Sequence, residues 1–196
     1  IMHAILEGEI RGMYIMGENP AMSDPDANHA RESLAALDHL VVQDIFLTET
    51  AYLADVILPA SAFPEKTGSF TNTDRLVQIG RQAIDPPGDA KQDLWIIQQM
   101  AQRLGLDWGY THVSQVFDEM RHTMPSIGGI TWDRLERENA VTYPCTKEGD
   151  PGDPVVFTTQ FPREGGRARF VPADIIPADE RPDAEYPMVL ITGRQL

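Results

Sequence analysis

GMYIMGENP, residues Gly12–Pro20, is the stretch that decides the fold. Met13, Tyr14, Ile15 and Met16 follow one another without polar alternation. That is the pattern of a strand covered on both faces, as in a parallel sheet flanked by helices. Gly17 lets the backbone approach a neighbour closely, and Pro20 stops the strand from continuing. In open α/β sheets ligands lie just beyond the carboxyl ends of the strands, so Gly17–Asn19 is where one is expected. A plain strand-to-helix turn has the same sequence, because a single glycine turn carries little specificity.

Working outward, His3–Glu9 reads as a short helix or an extended lead-in. Ser23, Asp24 and Asp26 form a turn rich in helix-capping residues, and Ala30, Leu34 and Leu37 then share one face of a helix over Ala27–Leu37. Leu40–Gln43 is a second buried strand. Ile45 and Phe46 lead into a helical turn at Thr48–Ala54, and Val56–Leu58 is a third strand, ended by Pro59. Strand, helix, strand, short helix, strand is the order of a doubly wound α/β layer with right-handed crossovers.

Beyond Pro59 the character changes. Ser69–Thr71 and Leu76–Ile79 are β-prone runs on either side of a Thr71-Asn72-Thr73-Asp74 turn. Asp85–Asp89 is a linker. Asp93–Leu104 reads as a helix with Leu94, Ile97, Ala101 and Leu104 on one stripe and Gly105 as its stop. A second helix is expected to begin at Ser114 and end before Pro125, and Thr131 can cap a third. Glu148–Pro154 is a turn-rich loop, Arg167–Phe170 a strand, and Pro172–Pro187 an extended connector. The fold expected is therefore α/β: a partial doubly wound parallel sheet over 1–60, a β-hairpin and linker over 61–88, a helical and irregular region over 89–185, and over 186–196 the first strand of a further module.

Composition narrows the function classes. The 196 residues carry a formal charge of −14, which argues against nucleic acid and anionic membrane surfaces as partners. An apolar content of 42% supports a real core. No apolar run approaches the ~18 residues that span a bilayer. Cys145 is the single cysteine, so the chain has no internal disulfide and no cysteine cluster, and a cytoplasmic location fits. The chain opens on Ile1 inside an apolar segment and closes on YPMVLITGRQL, where a strand-like run meets a glycine turn, so a fragment is expected.

Asp44, at the end of the second strand, is the carboxylate that matters most. In a parallel sheet its loop opens on the same edge as Gly17. There an acid can accept hydrogen bonds from ribose hydroxyls or from the N–H edge of guanine, while the glycine turn admits a phosphate. Its alternative role is to cap the turn into Thr48–Ala54, and Thr48 can likewise cap or bind. Glu65, Asn72, Arg75 and Gln78 form a polar hairpin that supports a site or an interface, or is simply solvated. His3, His29, His39, His112 and His122 are scattered without metal-ligand spacing. Asp24/Asp26 and Glu136/Glu138 read as solvated pairs. No catalytic residue and no metal ligand is assigned.

Four segments in order, IMGENPAMSDPD, VVQDIFLTETAYLADVILPASAFPEKTGSFTNTDRLVQ, DLWIIQQMAQRLG and YPMVLITGR, resemble the catalytic subunits of molybdopterin oxidoreductases. Within that superfamily they are most similar to the alpha subunit of formate dehydrogenase. The resemblance implies a molybdenum or tungsten ion held by two molybdopterin guanine dinucleotides, with 4Fe-4S clusters carried elsewhere in the parent. It implies formate oxidised to carbon dioxide, with electrons passed through iron–sulfur clusters to NAD. The partners implied are the rest of the catalytic subunit, iron–sulfur or flavin electron-transfer subunits, and formate.

By position, the resemblance makes 1–60 half of one dinucleotide-binding domain and assigns Gly17, Glu18 and Asn19 to the turn beside the cofactor. It assigns Gln43, Asp44 and Thr48 to the loop at the guanosine end, and Thr192, Gly193 and Arg194 to the first contact of a closing β-barrel. The metal ligand of such enzymes lies upstream, and Cys145 does not match it. A nitrate reductase or an NADH dehydrogenase large subunit of the same superfamily is the alternative, as is a non-catalytic α/β docking module. A bare sheet edge in a fragment would also favour self-association.

Overall fold

The structure is a computed structural model, and it describes residues 1–178 and 181–191. The chain divides into two units, Ile1–Val156 and Phe157–Leu196. The first unit begins with helix α1 (Met2–Leu6), strand β1 (Gly12–Met16), α2 (Pro20–Ser23), α3 (Ala27–Ala35), β2 (His39–Asp44) and β3 (Val56–Pro59). The three strands form one parallel sheet in the order β1-β2-β3, with Met16 beside Gln43, Gln43 beside Leu58 and Asp44 beside Pro59. All three carboxyl ends therefore open on one rim.

The period of two along β2 explains both faces of this sheet. Leu40 and Val42 point into a core shared with Ile15, Ala21, Leu34 and Ala51, all essentially closed to solvent. Val41 and Gln43 point the other way, toward α4 (Asp93–Arg103), and an apolar cleft of about 470 Å³ separates Val41, Val56 and Leu58 from Trp95, Ile96 and Met100. On one side Asp26 caps α3 by accepting from the His29 N–H at 3.1 Å. On the other, α4 ends in a Schellman turn: Gly105 N–H donates to Gln102 O at 3.1 Å and Leu106 N–H to Ala101 O at 2.9 Å, with Gly105 at φ +86°.

A second, antiparallel sheet contains β4 (Gly68–Thr71), β5 (Leu76–Gly80) and β6 (Ala140–Thr142) in that order. The helices α5 (Val113–Thr123) and α6 (Trp132–Glu138) pack on it, and Val77, Phe117, Ile127, Ile130, Leu135, Val141 and Cys145 form its core. Cys145 is fully buried, with the Arg134 guanidinium donating to its Sγ at 3.2 Å. The Thr131 hydroxyl caps α6 by accepting from Arg134 N–H at 3.1 Å.

Several expectations change here. The hairpin is joined by a third strand, β6, that the sequence reading did not assign. α5 starts one turn position early: the His112 ring accepts from Ser114 N–H, and the Gln115 side chain accepts from His112 N–H, which closes a capping box. In α4 the buried residues are Ile96 and Ala101, whereas Leu104 is 81% exposed. In the second unit Arg167–Phe170 is not a strand, and Tyr186–Ile191 carries no strand pairing. Its described features include a tight turn at Glu164–Gly166 and the stacked rings of Phe157 and Phe161, 5.2 Å apart. Thr192, Gly193 and Arg194 lie outside the described residues. Among the described residues no helix is long and apolar enough to cross a membrane.

Candidate functional site

The rim is stitched together before any ligand arrives. Gly17 leaves β1 at φ +66°, and its N–H donates to Gln43 O at 2.9 Å, so the first loop is tied to the end of β2. A side chain at Gly17 would meet nothing within 4 Å: the glycine serves the turn and leaves open space above it. Asn19 then ties the two loops together. Its Oδ1 accepts from Thr50 N–H at 3.1 Å and from the Thr50 hydroxyl at 2.8 Å, while its Nδ2 donates to Glu49 Oε2 at 2.7 Å. That last bond is the main cause holding the Glu49 carboxyl below its ordinary range. Asn19 and Asp44 thus stand on one rim, as the strand-edge argument requires.

The polar residues of the rim divide by task. Gln43 is fully buried; its Oε1 accepts from Tyr14 OH and its Nε2 donates to Asp93 Oδ1 at 2.6 Å. Asp93 also accepts from the Lys66 ammonium, which donates in addition to Ser61 O at 3.0 Å. Gln43 is therefore a strut joining β1, β2 and α4, not an open hydrogen-bonding group. Thr48 takes the capping role: its hydroxyl accepts from Ala51 N–H at 3.2 Å at the start of the helical turn Ala51–Leu53. Asp44 Oδ1 accepts from Ile45 N–H at 2.7 Å and Phe46 N–H at 3.3 Å. Glu18 is exposed and lines a neighbouring cleft with Tyr14, Met16 and Asp24.

Between these residues lies a cleft of about 350 Å³, lined by Gly17, Gln43, Asp44, Ser61, Lys66 and Asp93 among others. The sequence reading missed its floor. Ser61 and Lys66 fall in the stretch leading into the β-hairpin, and Asp93 reads as the opening residue of a helix. The Ser61 hydroxyl is buried, and among the described residues it is the one buried side-chain polar atom without a hydrogen-bond partner. Such orphans are rare in native interiors and ask for an explanation.

The hairpin residues serve their own fold. The Arg75 guanidinium donates to the carbonyls of Tyr143, Asp153 and Pro154, Gln78 to Asn72, and Glu65 accepts from Ala62 N–H at 2.8 Å. Among the described residues no three His, Cys, Asp or Glu side chains come together as a metal site.

An α/β layer with a glycine turn, an acid and a polar cleft on the carboxyl rim of its parallel strands has the arrangement at which open α/β sheets place ligands. Residues 1–103 match the family description "Molybdopterin oxidoreductase", and the chain belongs to that family. It is 46% identical over 94% of its length to the "F420-dependent formate dehydrogenase subunit alpha" of Methanocaldococcus jannaschii. It is 42% identical over its whole length to the "Putative formate dehydrogenase YrhE" of Bacillus subtilis. It spans 28% and 20% of those two proteins. Among solved structures it is similar to the acetylene hydratase from Pelobacter acetylenicus, with a TM-score of 0.60 at 21% identity, over 72% of this chain and 20% of that one. This last likeness concerns the fold alone. Family membership implies a molybdopterin cofactor.

Proposed function

We propose that the chain is part of the catalytic subunit of a molybdenum or tungsten formate dehydrogenase, and that its rim holds one end of a molybdopterin guanine dinucleotide. The observation carrying this reading is the shared rim: the Gly17 turn and the Asp44 loop are bonded to each other and enclose a polar cleft. The space above Gly17 fits a bound group on that rim. Gly17 would admit the diphosphate, and Asp44 would accept from the base or sugar. Asn19, Gln43 and Thr48 would act indirectly, by fixing the loops.

The metal-bearing pterin, when bound, supplies the redox centre at which formate gives carbon dioxide, a proton and two electrons. The electrons would leave through 4Fe-4S clusters outside this chain, to NAD or to the F420 named for the archaeal relatives. The proposed setting is the cytoplasm. The proposed partners are the rest of the catalytic subunit and iron–sulfur or flavin subunits, and the exposed Phe46, Tyr52 and Phe63 beside the rim give them apolar surface to cover. Self-association through the bare outer edge of β1 belongs to the same reading. The chain contributes no catalytic residue, so it turns over no formate by itself.

Titration of the 196-residue chain with GDP, as a probe of the guanosine end, tests the rim. Binding that is lost in Asp44→Asn is expected. Binding undisturbed by that change, or no binding, would sink the reading.

A further inference from the structure

We propose that a second cleft, enclosed by α4, the two ends of the β-hairpin and the residues that lead into α5, binds a neutral sugar ring. Its volume is about 330 Å³, and it shares no lining residue with the rim cleft. The inference goes beyond the reading of the rim and does not depend on it.

Charge is the first observation. None of the residues lining this cleft is Asp, Glu, Lys or Arg, in a chain where 23% of residues are. Asp93, which stands in sequence between two of them, is turned away to Gln43 and Lys66. An ion entering here would give up hydration and meet no opposite charge, so an uncharged ligand is favoured. Size is the second. The cleft stands at the lower end of the roughly 300–1,000 Å³ of small-molecule pockets, which suits a single ring better than a nucleotide.

The walls are fixed before a ligand arrives. Gln98 of α4 donates to Tyr110 O at 3.1 Å and accepts from Tyr110 N–H at 2.8 Å, which ties the approach to α5 onto α4. The Thr67 hydroxyl accepts from Gln82 N–H at 3.1 Å, which ties the two ends of the hairpin. What is left open is a mixed set of neutral groups. Gln92 stands at the start of α4 without capping it, so its amide offers both a donor and an acceptor. Thr67 keeps its own hydroxyl hydrogen, and Gln82, whose Nε2 donates to Ile84 O and Asp85 Oδ1, keeps Oε1 as an acceptor. The His112 Nδ1 accepts from Ser114 N–H, which puts the ring hydrogen of the neutral imidazole on Nε2 as a donor.

A sugar matches this set. Each of its hydroxyls both donates and accepts, so it can pair with either kind of group. A carboxylate or phosphate only accepts, and an ammonium only donates. Trp95, half exposed on the same wall, supplies the aromatic surface on which the C–H face of a pyranose can lie.

The test is isothermal titration of the 196-residue chain at neutral pH with four probes: glucose, its anionic relative gluconate, its cationic relative glucosamine, and cyclohexanol, a ring with one hydroxyl. Glucose is expected to bind with a Kd of about 1 mM, the range for a ligand of its size. The two charged relatives should bind at least about tenfold more weakly, because neither finds a counter-charge. Cyclohexanol should also fall at least about fivefold, for want of the other hydroxyls. Gln92→Ala and His112→Asn should each lower glucose affinity about fivefold, the worth of one neutral hydrogen bond. Their urea midpoints should hold, since Gln92 caps nothing and asparagine keeps a cap acceptor for α5. Trp95→Ala should lower the affinity about fivefold or more. No heat of binding at glucose concentrations about tenfold above the expected Kd overturns the inference. So does a charged relative or cyclohexanol that binds as tightly as glucose, or glucose affinity unmoved in Gln92→Ala and Trp95→Ala.

Discussion

Replacing Asp93 by alanine should loosen the join between the parallel sheet and α4, and the size of the effect can be worked from the contacts. Asp93 accepts from Gln43 Nε2 at 2.6 Å and from the Lys66 ammonium. Gln43 is fully buried, so alanine leaves its amide N–H without an acceptor, at a cost of about 1–3 kcal/mol. The side chains of Lys66 and Asp93 are 24% and 32% exposed, and Lys66 keeps its bond to Ser61 O. Loss of that ion pair therefore adds only about 1 kcal/mol. Together the change should cost about 2–4 kcal/mol, a large part of a typical domain's stability. Equilibrium urea unfolding measures it, and the slope should be unchanged, because the folded state keeps its compactness. Asp93→Asn retains an acceptor for Gln43 and should lose only about 1 kcal/mol. The pair Gln43→Leu and Asp93→Ala should be non-additive by at least about 1 kcal/mol. An Asp93→Ala protein within about 0.5 kcal/mol of wild type, the scatter of ordinary surface changes, would refute the strut.

Tyr14 is held above its ordinary value of 10.0, first by partial burial and then by the negative charge of Asp93. The folded state thus holds this proton more tightly than the unfolded chain, so stability present below about pH 10 is lost as pH rises through the raised value. Tyr14→Phe should flatten that alkaline decline, read by urea unfolding at a series of pH values; an unchanged decline would count against it. Tyr110, raised mainly by its hydrogen bond to Glu119, stays in the variant and keeps its own phenolate titration. Two glycines should respond differently to alanine. Gly17→Ala meets only backbone strain at φ +66° and should cost about 1–2 kcal/mol in thermal unfolding. Gly152→Ala, at φ +82°, drives a Cβ into the Thr142 carbonyl oxygen and should abolish the cooperative transition; similar melting for the two would contradict the packing.

The parallel sheet was legible because its strands are uninterrupted apolar runs closed by Gly17, Asp44 and Pro59, and that signal lies within each run. The same locality limits what could be read elsewhere. β6 is three residues long and finds its partner in Leu76–Gln78, far away in sequence, so nothing near Ala140–Thr142 announces it. The α4 stripe was set by helical spacing, yet which face turns inward depends on Val41 and Leu58 across the cleft, so Ile96 is covered and Leu104 is not. Gln43 shows the limit at the site. The sequence placed it correctly at the end of a strand, but its role follows from Tyr14 on one side and Asp93 on the other. Ser61 had no local signal at all, because an unpartnered hydroxyl is a property of its surroundings.

This division of labour has a consequence for binding. Asn19, Gln43 and Thr48 use their hydrogen bonds on the protein itself, so the two loops are held in register without a ligand. Gly17 and Asp44 are left with open space or unused hydrogen-bonding capacity beside the cleft. Ordering costs on association fall when the receiving groups are already fixed. A ligand on this rim thus meets a shaped surface, and its affinity should depend on the second set of residues directly. The first set should affect it only through loop order. Changes at Asn19 would accordingly lower stability and affinity together, whereas Asp44→Asn, which keeps an acceptor for the Ile45 and Phe46 amides, should lower affinity with little change in stability. That difference distinguishes a residue that builds the rim from one that meets what lies on it.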